Sequence, residues 1–330
     1  MKKKKVLITG GVGFIGSHTV DLFLARGCEV VVIDNFSTGN PDNLAHLQGR
    51  SDLTIIQADI NDREKTRSAY VDTDWVIHLA ALADIVPSIE RPEAYHRSNV
   101  DGTFTVLELA KEAGIKRFVY AASSSCYGIP DFYPTPESAP ARPQYPYALT
   151  KYLGEQYALH WGQVYGLPVV SLRFFNVYGP RSRTTGTYGA VFGVFLAQKL
   201  NHQPYTVVGD GTQSRDFTYV TDIARAVWAA ACSDVKQEVM NVGSGGHYTV
   251  NQLTKLLGGD VVHIPKRPGE PEITFADTTR IHGLLEWQPK VSFEQGVASV
   301  LEQIDYWRKA PLWTPASIHE ATRTWFQYLK

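Results

Sequence analysis

Tyr147 and Lys151 are ionisable side chains four residues apart in a stretch, 147–165, whose pattern predicts a helix. This spacing places both on one face of the helix. A phenol has an ordinary pKa near 10, so it acts as a base at neutral pH only where a positive charge favours its anion. A unit charge at about 5 Å and an effective dielectric of about 20 contributes roughly 3 kcal/mol, which lowers a pKa by about two. Lys151 would therefore supply most of the shift that a catalytic tyrosine needs, although ordinary surface helices also carry such pairs.

A glycine-rich turn near the N-terminus is typical of a dinucleotide site. Gly10, Gly13 and Gly16 follow a short apolar run and precede a stretch of helical spacing, so a diphosphate can approach the backbone amides of the helix N-terminus. The next apolar run, 29–34, ends in Asp34, 18 residues after Gly16. A carboxylate there would accept hydrogen bonds from ribose hydroxyls and repel a 2′-phosphate. The pattern predicts NAD rather than NADP, while a plain turn role for Asp34 stays open.

Three serines follow a further strand-like run. Ser123 lies 24 residues before Tyr147, with Ser124 and Ser125 directly after it. A hydroxyl at a strand end can hydrogen-bond a substrate hydroxyl beside the phenol, although serines are also common turn residues.

The elements that must position these residues alternate between strand and helix. Continuous apolar runs occur at 6–9, 29–34, 53–59, 75–81, 117–124, 168–177 and 239–242, with helical segments such as 101–113 between them. Such runs are expected in a parallel sheet that is buried on both faces. We predict an α/β fold, a Rossmann-type doubly wound parallel sheet, with a smaller α/β domain. The larger domain should span 1–180, with about 216–243 returning to it, and the smaller should span 181–215 and 244–330, with loop-rich connections at 184–189 and 265–271.

Composition excludes several classes of protein. The 330 residues include 32 Lys plus Arg and 33 Asp plus Glu, so no strong basic field exists to bind nucleic acid or a membrane surface. Cys28, Cys126 and Cys232 are too few for a disulfide framework or zinc site, and the ten histidines show no ligand spacing, so no metal is predicted. The sequence shows neither a signal-peptide pattern nor an apolar run long enough to span a bilayer, and we expect a cytoplasmic protein.

Motifs in a fixed order over nearly the whole chain resemble one superfamily. They are TGGVGFIG (9–16), Asp34, HLAA (78–81), SNVDGT (98–103), AASSSCYG (121–128), YALTK (147–151), RFFNVYGP (173–180), GDGTQSRDF (209–217) and RPGE (267–270). This register is similar to that of the extended short-chain dehydrogenase/reductases, and among them of the NAD-dependent UDP-hexose 4-epimerases, which act on UDP-glucose or UDP-N-acetylglucosamine.

The resemblance implies a mechanism. Ser123, Tyr147 and Lys151 would form the catalytic set, with Lys151 also holding the nicotinamide ribose. Tyr147 would take the proton of the sugar 4-hydroxyl while hydride passes to NAD, and a 4-keto sugar would turn over and take the hydride back on its other face. The cofactor would stay bound, and its ring charge would complete the pKa shift of Tyr147.

The resemblance also assigns binding residues. The cofactor contacts would be Gly10, Gly13, Phe14, Ile15, Gly16, Asp34, Asn35, Asp59, Ile60, Leu79, Ala80, Ala81, Asn99, Tyr147 and Lys151. The UDP-sugar contacts would be Ser123, Ser124, Ser125, Asn176, Arg215, Arg267, Glu270 and Thr274. In this set Arg215 and Arg267 would bind the diphosphate and Glu270 the uridine ribose. Thr274 would leave room beside the sugar 2-substituent for an N-acetyl group.

Differences from the motifs of related enzymes reduce the number of reactions that this chain is expected to catalyse. Ser124 and Ser125 stand where similar dehydratases and decarboxylases carry acids, which disfavours elimination chemistry. Cys126 is predicted to pack on the opposite face of the strand rather than act. Asn176 stands where UDP-glucuronate 4-epimerases usually have Thr, which counts against that alternative and leaves it open. Another epimerase or reductase of nucleotide sugars also stays open, whereas the intact Tyr147 and Lys151 disfavour a non-enzymatic role.

Three further expectations concern packing and assembly. The family commonly dimerises through the helices at 101–113 and 147–165, and a homodimer is expected here. His78 should pack or bond locally, and the Trp-rich tail, 307–325, should cap the second domain.

Overall fold

The structure is a computed structural model that describes residues 3–184 and 189–329. Its strands are β1 (Lys5–Thr9), β2 (Glu29–Asp34), β3 (Leu53–Gln57), β4 (Trp75–His78), β5 (Arg117–Ser123), β6 (Val169–Phe174), β7 (Asn176–Tyr178), β8 (Tyr205–Val208), β9 (Ser214–Arg215), β10 (Phe217–Tyr219), β11 (Glu238–Val242), β12 (Tyr248–Thr249) and β13 (Val261–Ile264). Its helices are α1 (Phe14–Ala25), α2 (Arg63–Thr66), α3 (Ile85–Glu90), α4 (Pro92–His96), α5 (Gly102–Glu112), α6 (Pro146–Tyr165), α7 (Val191–Leu200), α8 (Val220–Cys232), α9 (Val250–Leu257), α10 (Thr279–Leu285), α11 (Phe293–Glu302), α12 (Pro315–Ala321) and α13 (Arg323–Tyr328).

A seven-stranded parallel sheet forms the centre of the larger part. Its strand order is β11-β6-β5-β4-β1-β2-β3. Successive residues of a strand point to opposite faces of the sheet, and both faces are buried here. In β1, Val6 and Ile8 belong to the core cluster on one face, and Leu7 belongs to the cluster on the other face. Burial on both faces explains why the apolar runs are continuous. The predicted fold class is confirmed.

The strand order determines where a ligand can bind. The chain builds β1, β2 and β3 in one direction and then returns to place β4 on the other side of β1. Ligands of open α/β sheets bind beyond the carboxyl ends of the strands at such a reversal. The glycine turn after β1, the Leu79–Ala81 segment after β4 and Ser123 at the end of β5 all lie at this edge.

The second part contains three small two-stranded sheets: β7 with β10, β8 with β13, and β9 with β12. Aromatic side chains build its core; Phe217 stacks on Phe293 with ring centroids 5.3 Å apart, and Tyr248 stacks on Phe293 at 4.2 Å. Of the stretch 216–243, which the sequence predicts to return to the large sheet, β11 does so by pairing with β6, whereas β10 pairs with β7. The exact division into domains remains a prediction, and most of the connection at 184–189 lies outside the described residues.

Helix α6 carries Tyr147 and Lys151 and is the longest helix in the described part of the chain. Pro146 occupies its first turn, and Gly166 ends it in a left-handed conformation, φ 71°. Gly154 allows close packing on β5, since a Cβ at that position would lie 2.2 Å from the hydroxyl oxygen of Tyr120. The predicted helix is confirmed, and so is the one at 101–113, which begins at Gly102 after a single π-helical turn at Arg97–Asp101.

Strand β5 ends one residue earlier than predicted. Residues Ser124–Tyr127 form a 3₁₀ turn, and we call Ser123–Tyr127 the serine turn. The strand argument used for Cys126 is therefore wrong, because this residue is not on a strand. It is nevertheless buried in a small cluster with Tyr127, Phe175 and Ala276, and burial raises the pKa of its thiol to about 12. The packing role predicted for Cys126 is confirmed, although the residue packs from a 3₁₀ turn and not from a strand.

Local packing explains the other residues singled out from the sequence. The His78 ring bonds the hydroxyls of Thr9 at 2.6 Å and Thr103 at 3.0 Å. Trp307 is buried in the aromatic core of the second part, as expected for a capping tail. In residues 3–184 and 189–329 no helix is long and apolar enough to cross a membrane, and no group of three His, Cys, Asp or Glu is arranged to hold a metal ion.

Candidate active site

One cavity of about 720 Å³ runs from the glycine turn to the second part of the molecule. Its volume lies within the range of about 300–1,000 Å³ of small-molecule sites. All the predicted cofactor and substrate residues line it except Asn99. The sequence motifs, which are scattered over 260 residues, therefore converge on one space.

The glycine turn has the shape that a diphosphate requires. Gly10 has φ +73°, and a Cβ there would lie 2.7 Å from the backbone nitrogen of Ala80. At Gly16 a Cβ would lie 2.0 Å from the Gly10 oxygen. The residue that precedes α1 is Gly13, which has no side chain to cap the first amides of the helix. These amides and the helix dipole are free to bind an anion, so the turn fits the diphosphate of NAD.

Asp34 lies at the end of β2 beside the glycine turn. Its carboxylate accepts hydrogen bonds from the amides of Val12 at 3.2 Å and Phe36 at 2.9 Å, which hold it toward the cavity. Burial raises the pKa of Asp34, and these two hydrogen bonds oppose the rise. Each oxygen has further acceptor capacity, which fits a pair of ribose hydroxyls.

Removing the charge of Asp34 is expected to weaken discrimination against NADP. In Asp34→Asn the side chain keeps one oxygen for the backbone but no longer repels a 2′-phosphate, so the preference for NAD should fall about tenfold, which corresponds to about 1.4 kcal/mol. Protein freed of its bound cofactor would be incubated with equal NAD and NADP, washed and denatured, and the released cofactor identified by chromatography. Asp42→Asn removes an exposed charge nearby and should leave the preference unchanged; an equal change in both variants would contradict the assignment.

Tyr147 faces the cavity from the first turn of α6. Burial raises the pKa of its phenol, a hydrogen bond with Ser123 lowers it in part, and the Asp84 carboxylate raises it further. Ser123 also bonds the Ser125 hydroxyl at 2.8 Å. A phenol and a serine hydroxyl that line the same cavity wall can hold a substrate hydroxyl between them.

Lys151 does not have the effect on Tyr147 that the helix spacing predicts. Its side chain is buried, with its ammonium 4.5 Å from the centre of the Tyr120 ring. Burial lowers the pKa of Lys151 to about 7, opposed by the charge of Glu155. Lys151 is not among the groups that shift the pKa of Tyr147, so the lowering expected from its charge is not seen, and desolvation of the phenol raises that pKa instead.

Asn99 lies behind the cavity wall rather than in it. It is almost fully buried, and its side chain accepts from the amide of Leu82 at 2.8 Å. Its nitrogen donates to the Leu82 oxygen and to the Thr150 hydroxyl, each at 3.0 Å. These hydrogen bonds support the Leu82 wall and α6, and the cofactor contact of Asn99 stays a prediction.

Two arginines surround one carboxylate at the far end of the cavity. Arg215 Nη2 donates to Glu270 Oε1 at 2.7 Å, and Arg267 Nη1 lies 3.9 Å from Glu270 Oε2. The Arg267 guanidinium also stacks 5.5 Å from the Trp325 ring, and the Trp325 indole donates to the Pro268 oxygen at 2.7 Å. Two positive charges against one negative charge leave this end cationic, as an anionic ligand requires.

Asn176 and Thr274 are tied to each other. Thr274 Oγ1 donates to Asn176 Oδ1 at 2.7 Å and accepts from the amide of Asp216 at 3.1 Å. Both residues line the cavity, so Thr274, expected beside the sugar 2-substituent, and Asn176, another expected UDP-sugar contact, are coupled through one hydrogen bond.

Several lining residues were not found by sequence reasoning. Tyr145 stacks on Tyr147 with centroids 6.4 Å apart, and Arg183 pairs with Asp84 at 2.6 Å. Asp84 has φ +86°, a strained conformation for a residue other than glycine. That strain has no local sequence signal, whereas Tyr145, two residues before Tyr147, could have been noticed as an extended position leading into the helix.

Known proteins resemble this chain along most of its length. A solved structure of UDP-N-acetylglucosamine 4-epimerase from Methanobrevibacter ruminantium M1, in complex with UDP-N-acetylmuramic acid, has a TM-score of 0.85 at 37% identity and covers 92% of this chain and 100% of that one. UDP-glucuronic acid 4-epimerase from Bacillus cereus, in complex with UDP-glucuronic acid and NAD, has a TM-score of 0.84 at 32% identity, covering 92% and 99%. UDP-glucose 4-epimerase of Mycolicibacterium smegmatis is 34% identical over 307 residues, 90% of this chain and 97% of that protein.

Similarity over the whole chain does not determine the reaction, because relatives at 32% identity also include two decarboxylases of UDP-uronic acids. It does determine the family. The model of the NAD dependent epimerase/dehydratase family matches residues 6–243, which hold the glycine turn, Asp34, Ser123, Tyr147 and Lys151. This chain therefore belongs to the NAD-dependent epimerase/dehydratase family, within the extended short-chain dehydrogenase/reductases.

Proposed function

We propose that this protein is a 4-epimerase of UDP-hexoses or UDP-N-acetylhexosamines. The observation that carries the proposal is the composition of the cavity wall around Tyr147. Ser123 lines this wall together with the phenol and bonds the Ser125 hydroxyl at 2.8 Å, and Ser124 and Ser125 line the wall where a carboxylic acid would serve elimination or decarboxylation. The same cavity continues to the arginine pair, so a nucleoside diphosphate at that end would present its sugar to Tyr147.

Each residue has a distinct task in the proposed reaction. NAD, when bound, supplies the acceptor and later the donor of the hydride at C4. Tyr147 takes the proton of the C4 hydroxyl and returns it to the 4-keto sugar, while Ser123 holds the same oxygen by a hydrogen bond. Lys151, with a pKa lowered to about 7, can carry the charge that a phenolate needs once its surroundings become more polar or more negative. Arg215 and Arg267 retain the diphosphate while the sugar turns.

A UDP-glucuronate 4-epimerase is the second candidate. The serine turn and the small Thr274 support it, since neither contains a group that would repel a uronate carboxylate. Asn176 counts against it, because its amide oxygen is engaged by Thr274 and a threonine is usual there in such enzymes. The two candidates share Tyr147, Ser123 and Lys151 and differ only in the sugar.

Turnover of a substrate panel tests the proposal. One portion of the purified protein would be denatured to identify released NAD, and the native remainder would be incubated with UDP-glucose, UDP-N-acetylglucosamine, UDP-glucuronate and the dTDP, GDP and CDP analogues. We expect one C4-epimer pair of a UDP-hexose or UDP-N-acetylhexosamine to interconvert without added cofactor. Epimerisation of UDP-glucuronate alone would favour the second candidate. Net accumulation of NADH, or release of carbon dioxide from the substrate, would overturn both candidates.

We also propose that the protein is a homodimer assembled through α5 and α6. Phe104 on α5 and Tyr157 on α6 are each about two-fifths exposed and meet edge to face at 6.2 Å, and Val164 and Tyr165 extend this apolar surface along α6. Light scattering during gel filtration should give twice the 36.7 kDa of one chain. Tyr157→Glu should yield monomers because it buries an unpaired charge at the interface, whereas Phe326→Glu, an exposed aromatic on α13, should not. A wild-type monomer would refute the proposal.

A further inference from the structure

A buried guanidinium lies between α6 and the serine turn. Arg173, on β6, has a side chain only 7% exposed. Its Nε donates to Glu155 Oε2 at 3.0 Å and its Nη2 to Glu155 Oε1 at 2.6 Å. Its Nη1 donates to the Tyr127 hydroxyl at 2.8 Å. Nη1 also donates to the Glu137 backbone oxygen at 3.3 Å, so one rigid planar group bonds to three segments that are separate in the chain.

Glu155 connects this guanidinium to the helix that carries the catalytic pair. It follows Lys151 by one turn and Tyr147 by two, so the three side chains lie on neighbouring parts of one helix face. Glu155 is 1% exposed, and Ser171 Oγ donates to its Oε2 at 3.0 Å. With both oxygens engaged by groups on β6, the carboxylate holds α6 at a fixed height above the sheet.

Tyr127 connects the guanidinium to the serine turn. It is the last residue of the turn that begins with Ser123, and its hydroxyl donates to Asn241 Oδ1 at 2.7 Å while it accepts from Arg173. The side-chain nitrogen of Asn241 donates in turn to the Thr135 backbone oxygen at 2.9 Å. The turn therefore cannot shift without breaking a buried hydrogen bond.

Stability alone does not call for charges at this place, since replacing a buried ion pair by apolar side chains of similar volume is often neutral or stabilising. What a guanidinium fork adds is a defined distance and orientation. Catalytic groups must be held within about 0.5 Å, and a displacement of about 1 Å costs on the order of 100-fold in rate. On the basis of the proposed function, we propose that Arg173 is a positioning residue that sets the separation between Tyr147 and Ser123 through Glu155 and Tyr127.

Tyr127→Phe tests this inference, because it removes only the hydroxyl that joins Arg173 to the serine turn. Tyr127 is not among the residues that line the cavity, so substrate and cofactor contacts stay intact. We expect kcat per mole of bound NAD to fall about 10- to 100-fold, in line with a displacement of up to about 1 Å. KM should stay within about threefold, and the NAD content per folded chain should not change.

Tyr205→Phe is the matched control, since it removes another buried hydroxyl, which donates to the Gly258 oxygen at 2.9 Å in the second part of the molecule. It should lower Tm to a similar extent and leave kcat unchanged. Arg173→Lys, which keeps the charge but not the planar fork, should lose kcat like Tyr127→Phe. An active wild-type protein whose Tyr127→Phe and Tyr205→Phe variants have equal kcat would overturn this inference alone, whereas a wild-type protein without epimerase turnover would overturn the proposed function as well.

Discussion

Tyr147→Phe is expected to reduce epimerase turnover by about 10³- to 10⁴-fold while NAD remains bound, because it removes the only atom that we assign to proton transfer. General acid–base catalysis contributes about 10²- to 10⁴-fold, and here one group must act as base and then as acid. The phenyl ring would keep its edge-to-face contact with Tyr95 at 6.4 Å and its stacking on Tyr145 at 6.4 Å. Loss of turnover would therefore report lost chemistry rather than lost packing.

The measurement is kcat with the preferred UDP-sugar, together with NAD released per chain on denaturation and Tm. Tyr152→Phe, five residues later on the same helix, removes a hydroxyl outside the cavity and should keep full activity. Turnover of Tyr147→Phe within tenfold of wild type would show that another group carries the proton.

The architecture was predictable because it depends on a pattern that many residues share. Continuous apolar runs such as 29–34 predict strands buried on both faces, and glycines at fixed spacing predict the turn after β1. The carboxyl edge of the sheet then follows as the site. This reasoning located Asp34, Ser123 and Tyr147 in one cavity, as the structure shows.

Properties that depend on burial were not predictable from spacing. The i, i+4 spacing places Lys151 near Tyr147, yet the free energy of ionising either side chain depends on what surrounds it. Burial lowers the pKa of the lysine to about 7 and raises that of the phenol, an effect of the Tyr120 ring and the β5 wall that no local pattern encodes. Asn99 shows the same limit, since the hydrogen bonds of its amide with Leu82 and Thr150 arise from tertiary packing that its motif does not encode.

The Arg173 network illustrates why long-range contacts are missed. Its partners are 18 and 46 residues away in the chain and lie on other elements, so no period within one helix or strand relates them to Arg173. The pairing of β6 with β5 and the packing of α6 on these two strands bring the three side chains together. Sequence motifs identify the residues that touch ligands more readily than those that hold them in place.

Thr274→Tyr is expected to lower activity on UDP-N-acetylhexosamines about 100-fold relative to activity on UDP-hexoses. Thr274 lines the cavity and is half-buried, so a phenol there would fill space that an N-acetyl group needs and a hydroxyl does not. Overpacking of a filled site costs about 1–3 kcal/mol, and about 2.8 kcal/mol corresponds to 100-fold. The measured quantity is the ratio of kcat/KM for the two substrates.

The ratio is needed because the substitution also has a general cost. Tyrosine cannot reproduce the Thr274 hydrogen bonds to Asn176 at 2.7 Å and from the Asp216 amide at 3.1 Å, so activity on both substrates should fall together by a common factor. Thr274→Ser keeps the hydroxyl and the small volume, and should leave both the ratio and the absolute rates close to wild type. A ratio that is unchanged in Thr274→Tyr would mean that the 2-substituent lies elsewhere in the cavity, and the N-acetyl specificity would then have to be sought at the wall near Arg183 and Asp84.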